Sequence, residues 1–161
     1  GFPLLGPGAR VVGPITKSVP RDDEARKGNG VEECLGFPDP VLGYAEKVFF
    51  HTLAGRTDGG TFISLINRDT GDGQPLGIAM RWSRKELPEF TEWKMPAKGF
   101  YVVGLEPGNV LPLGRGALRQ QGALPMIEGQ ASYDVTIDVE ILDSISEIDA
   151  IEKEARKLAG T

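Results

Sequence analysis

Residues 61–84 read TFISLINRDTGDGQPLGIAMRWSR, and this stretch decides the class of fold. Phe62, Ser64 and Ile66 share one face of an extended chain, and Ile63, Leu65 and Asn67 share the other. The DTGDG segment that follows has the turn chemistry of a hairpin connection. After it, Leu76, Ile78, Met80 and Trp82 alternate with Gly77, Ala79, Arg81 and Ser83. A period of two predicts a half-buried strand with its small and polar side outward. Two alternating segments joined by a short polar turn predict an antiparallel pair.

The same pattern recurs on either side. AEKVFFHTL (45–53) is rich in strand formers, FTEWKM (90–95) and GFYVVGLE (99–106) follow, and ASYDVTIDVEIL (131–142) is the cleanest alternation in the chain. There Tyr133, Val135, Ile137, Val139 and Ile141 face one way, and Asp134, Thr136, Asp138 and Glu140 the other. With 22 glycines and 12 prolines between the runs, the chain predicts many short strands joined by many turns. KSVPRDDEARKGNGVEE (17–33) reads as a long excursion loop, and FPDPVLGY (37–44) as irregular, since Pro38 and Pro40 block regular pairing. Arg10 to Val12 reads as a short strand.

The end changes period. Ser144 with Glu147 three residues on is a capping box. Ile145, Ile148, Ile151, Ala155 and Leu158 keep helical spacing, basic residues crowd the last turn, and Gly160 stops the helix. The expected fold is mainly β: an antiparallel sandwich over residues 1–143 with one amphipathic helix over 144–161. No βαβ alternation argues for a parallel sheet.

A length of 161 residues suits one domain. A net charge of −5 argues against nucleic-acid or anionic-membrane surfaces, and no apolar run reaches a membrane span. The single cysteine, Cys34, rules out an intrachain disulfide framework and a cysteine-rich zinc site. One histidine and one cysteine without close carboxylate spacing fit no zinc template, so no metal site is expected. No leader is read at the start, and the expected location is the cytoplasm. The nucleotide-binding and serine-hydrolase motifs are missing.

Glu106 is the residue that asks for chemistry. It closes YVVGLE and drops straight into Pro107-Gly108-Asn109. A carboxylate at the end of an apolar strand, beside small Gly104, can line a cleft, and partial desolvation there suits a general base. The other reading is an exposed, ion-paired glutamate at a sheet rim. His51, the only histidine, is either a proton-transfer group or a structural histidine inside the sheet. Trp93 and Lys94 offer an aromatic face and a cation for a sugar ring, although core packing is the plainer role for Trp93. Arg115, between glycines, is a substrate clamp or a loop anchor.

Several windows together resemble one family: GFPLL (1–5), PDPVLGYAEKVFFH (38–51), LPEFTEWKM (87–95), YVVGLEPGN (101–109), LGRGALRQQGALP (113–125) and the Tyr-Asp-Val-Thr-Ile strand (133–137). They are similar to the aldose 1-epimerase-like branch of the galactose mutarotase superfamily, a family whose domain is of unknown function. The resemblance runs in order from about Gly1 to Ile141. It implies a β-supersandwich that holds a sugar in an open cleft, with Glu106 at the position of the base that takes the anomeric hydroxyl proton. It implies His51 as acid or hydroxyl ligand, and Trp93, Lys94, Asn109 and Arg115 shaping the pocket, with no cofactor. It also implies that the chain matches the C-terminal half of a longer fold. The family's His-x-Asn motif would fall just before GFPLL. The expected partners are therefore a sugar and either further copies of the chain or a complementing one. The alternative is a binding module without catalysis.

Overall fold

The computed structural model describes residues 4–160. Eight strands form two four-stranded sheets. They are β1 (Arg10–Val12), β2 (Ile15–Pro20), β3 (Lys47–Leu53), β4 (Gly60–Asn67), β5 (Leu76–Ser83), β6 (Glu89–Ala97), β7 (Phe100–Gly108) and β8 (Ile137–Leu142). One sheet runs β1-β4-β5-β8 and the other β2-β3-β6-β7, and every ladder pair within them is antiparallel. Three helices complete the chain: α1 (Asp23–Arg26), α2 (Arg115–Gln120) and α3 (Ile145–Ala159). The fold is the expected mainly-β antiparallel sandwich with a C-terminal helix. No described helix is long and apolar enough to cross a membrane.

The 61–84 stretch forms the β4–β5 hairpin, with Ile63 opposite Met80 and Leu65 opposite Ile78. These residues face the second sheet, where Trp82 stacks on Phe90 at 5.9 Å between ring centroids. The opposite face was expected to look outward. Instead Phe62, Ile66, Ala79 and Leu142 lie under α3, against Ile148, Ile151 and Ala155. Gly77 is small for the same reason: a Cβ there would meet Ile66 and Leu142 at 3.2 Å. Arg81 lies over the Phe62 ring and spans the joint, bonding Glu154 of α3 at 3.1 and 3.2 Å and Glu140 of β8 at 3.3 Å. Two-sided burial makes β4 the most deeply buried strand, and its polar Ser64 is fully covered.

The α3 caps follow the sequence. Ser144 accepts from the Glu147 amide, Glu147 reaches back to the Ser144 amide, and Gly160 takes the left-handed conformation at φ 78°. Two segments differ from expectation. The 17–33 excursion is structured: Ile15–Pro20 pairs with β3, Asp22 caps α1, and Gly30–Glu33 forms a 3-10 turn. Strand β8 begins only at Ile137, because 131–136 finds no ladder partner on β5.

The two sheets do not close evenly. Between β5, β7 and β8 lies an apolar cavity of about 700 Å³ walled by Leu76, Ile78, Met80, Val103, Leu105 and Ile141. Along β8 the inward-facing Val139 and Ile141 remain 63% and 60% exposed, so no described residue covers this side of the sandwich.

Candidate functional site

Registers in the second sheet assign its two faces. Phe50 lies opposite Thr91, and Thr91 opposite Glu106; Trp93 lies opposite Gly104. Phe50, Thr91, Trp93, Gly104 and Glu106 therefore share the face turned away from the first sheet. Phe49, His51 and Leu53 of β3, and Phe90, Glu92 and Lys94 of β6, take the other face, toward the interior. Adjacent residues on a strand point oppositely, so Trp93 and Lys94 never face one ligand together. Glu106 and His51 are separated by the sheet in the same way.

On the outward face, Glu106 is exposed near the end of β7, where the ladder does not stop at the carboxylate but runs on through Pro107 opposite Phe90 and Gly108 opposite Glu89. Its Oε1 lies 2.5 Å from where a Cβ on Gly104 would stand, so the carboxylate folds back over the glycine. Trp93 is half-buried one pair along, edge-on to Phe100, and its Nε1 donates to Glu46 Oε2 at 2.7 Å. Among them a carboxylate and an indole flank one patch of sheet, an arrangement that can meet the hydroxyls and the apolar face of a sugar ring. Gly104→Ala is expected to leave stability within about 1 kcal/mol, since the strand gains a better strand former. It would swing the Glu106 carboxylate away, because that side chain is the nearest neighbour of the new methyl. Thermal melting beside an activity or binding assay checks the separation.

Asn109 is exposed after β7 and lines a cavity of about 440 Å³ with Lys85, Pro88 and Tyr133. Arg115 is exposed at the first position of α2, after Gly114 at φ 87°.

The interior face holds a polar cluster built from residues far apart in the sequence. The His51 ring lies between Phe49 and Phe90, with ring centroids 6.4 and 5.9 Å away. Its Nδ1 lies 2.8 Å from Ser18 Oγ and its Nε2 lies 3.0 Å from Glu92 Oε2. With Glu92 ionised, Nε2–H donates to the carboxylate and Ser18 O–H donates to Nδ1. Beside them the Lys94 Nζ donates to the carbonyls of Glu33, Cys34 and Gly36 at 3.2, 2.7 and 2.5 Å. It also sits 4.5 Å above the centre of the Phe37 ring. Burial pushes the Lys94 ammonium below the ordinary lysine range, with the Glu92 carboxylate opposing. Burial and the same carboxylate push the Cys34 thiol up to about 11, so it stays protonated near neutrality. His51 and Glu92 have no exposed side-chain surface. A sugar on the outward face therefore cannot touch this histidine.

The signal for the cluster was present in FTEWKM. Its parity puts Glu92 and Lys94 on the face of Phe90, and two opposite charges on a core face must answer to each other. Ser18 carries no such signal, because the 17–33 segment reads as a loop, and Cys34 follows directly after it.

The family described as "Domain of unknown function (DUF4432)" matches residues 1–141. Among solved structures, the chain is similar to a "putative aldose 1-epimerase" from Klebsiella pneumoniae subsp. pneumoniae MGH 78578. The identity is 26% and the TM-score 0.87, over 99% of this chain and 41% of that one. The chain thus spans about two-fifths of the length of that protein. No curated protein matches the sequence.

Proposed function

We propose, because the chain belongs to the DUF4432 family and shares its sandwich with an epimerase-like structure, that it is the base-bearing part of a sugar isomerase. The reaction is anomer interconversion of an aldose. Glu106 takes the proton of the anomeric hydroxyl, an acid protonates the ring oxygen as its bond to C1 breaks, the aldehyde turns about the C1–C2 bond, and the ring recloses on either face of C1. The observation that carries this reading is the exposed Glu106 carboxylate, folded over Gly104 beside Trp93 on the outward face of the sheet. The acid that protonates the ring oxygen comes from outside this set of residues, since His51 is sealed on the interior face. No cofactor is needed, because the proton moves between two oxygens of one substrate.

A second reading, assembly, has its own support. The cavity between β5, β7 and β8 and the exposed Val139 and Ile141 form an apolar opening of the kind that another polypeptide covers. That polypeptide is a second copy or a complementing chain, and it would also carry the missing acid.

Anomer equilibration of freshly dissolved aldoses, followed by polarimetry or NMR, tests the reaction. A rate above the spontaneous one that Glu106→Gln removes supports it. Identical rates for wild type, Glu106→Gln and buffer, with any complementing chain present, sink it; saturation-transfer NMR then distinguishes a binding module from an inert chain. Light scattering tests the assembly reading: a stable monomer at high concentration would overturn self-association.

A further inference from the structure

We propose that Cys34, His51 and Glu92 form a buried site for one transition-metal dication of the zinc class, held by a sulfur, a nitrogen and an oxygen. Each offers a ligand atom, and the three atoms lie within 4.8 Å of one another. The residues are 1%, 3% and 0% exposed. Around a tetrahedral zinc ion such atoms stand roughly 3.3–3.6 Å apart, so side-chain shifts of about an ångström close the site. The donor set of thiolate, imidazole and carboxylate suits zinc and cobalt(II) and does not suit the hard, all-oxygen cations.

Three further observations point to a ligand. Glu92 Oε1 is buried and has no hydrogen-bond partner. The nearby Lys94 does not supply one, because its three bonds go to the carbonyls of Glu33, Cys34 and Gly36. Ser18 stands at His51 Nδ1 and beside the Cys34 thiol, placed to hold the ring as outer partners of metal-bound histidines do. Cys34, unlike His51 and Glu92, also lines a cavity of about 480 Å³ with Tyr44, Lys47 and Lys94, the side from which an ion would approach. On binding, the thiol proton leaves to solvent. The His51 proton moves from Nε2 to Nδ1, where it donates to Ser18 Oγ, and Nε2 takes the metal. No electron is transferred.

The test uses the full chain stripped of metal by a chelator and titrated with cobalt(II). Expected are one equivalent bound, a sulfur-to-cobalt charge-transfer band, and displacement of cobalt by zinc. Cys34→Ser should lose the band and bind at least tenfold more weakly, and Glu92→Gln should also bind at least tenfold more weakly. Folded wild type that takes up no metal, or binds it without the sulfur band, overturns the proposal, and neither result depends on a variant folding. Glu106→Gln should bind cobalt as wild type does. Loss of binding there would move the metal to the outward face and also overturn the proposal. Because the two sites lie on opposite faces, failure of the isomerase reading leaves the cobalt result unchanged.

Discussion

Lys94→Met is expected to destabilise the metal-free chain by roughly 3 kcal/mol, about 1 kcal/mol for each of the three buried carbonyls that loses its charged donor. Methionine fills nearly the same volume, so little of the loss is packing. What is lost is the donor set. The carbonyls of Glu33, Cys34 and Gly36 each give up their bond to Nζ. Each buried acceptor left without a donor costs on the order of 1 kcal/mol or more. Glu92, with no exposed surface, also loses a neighbouring positive charge. For a chain of this size the change lowers the melting temperature by roughly 10 °C. A second variant, Lys94→Met with Glu92→Gln, should recover part of the loss, since the orphaned charge is then gone. A loss below about 1 kcal/mol for the single change would show that Lys94 is not holding this end of the sandwich. The pH dependence carries a sign as well. Burial lowers the folded Lys94 below its ordinary 10.5, so the folded chain sheds this proton first as pH rises. Between the lowered value and 10.5 the unfolded chain binds more protons, and this group's contribution to stability rises with pH there. Below that window the charged form carries its full burial penalty. Lys94→Met should flatten that part of the curve of stability against pH.

The cluster around Lys94 marks the limit of what a single sequence reveals. Alternation made β4, β5 and β8 legible, and capping made α3 legible, because each signal lies within a dozen residues. Which face of β4 met the helix was not legible: Phe62 and Ile66 are as apolar as Ile63 and Leu65, and only α3 returning from residues 145–159 decides between them. The same holds for the site. Glu106 stands out locally, because it is a carboxylate closing an apolar run between Gly104 and Pro107, although the strand itself runs on to Gly108. His51 stands out locally as well. A lone imidazole invites an acid–base role, yet the residues that seal it, Ser18 and Glu92, lie 33 and 41 positions away. Strand parity alone separates Trp93 from Lys94, and it needed no structure.

Two substitutions on opposite faces should therefore separate chemistry from stability. Glu106→Gln is expected to leave the melting temperature within about 2 °C, because the side chain is exposed and glutamine is nearly isosteric. In the completed isomerase it should lower the catalysed rate by roughly 10²–10⁴-fold, the usual contribution of a general base. That corresponds to about 3–5 kcal/mol in the barrier. His51→Gln should do the reverse. It removes a ring that bonds Ser18 and Glu92 at 2.8 and 3.0 Å between two phenylalanines. Glutamine cannot reproduce both bonds in that plane, so a loss of about 2–3 kcal/mol is expected, read by melting in the presence of chelator. Catalysis by the fraction still folded should stay close to wild type, because a sugar over Glu106 is a sheet's thickness away from this ring. A His51→Gln chain that melts like wild type but no longer catalyses would place the imidazole in contact with substrate. The sheet would then have to open between β3 and β6 during turnover. A Glu106→Gln chain that keeps its rate would remove the base from the reaction and leave the outward face as a binding surface only.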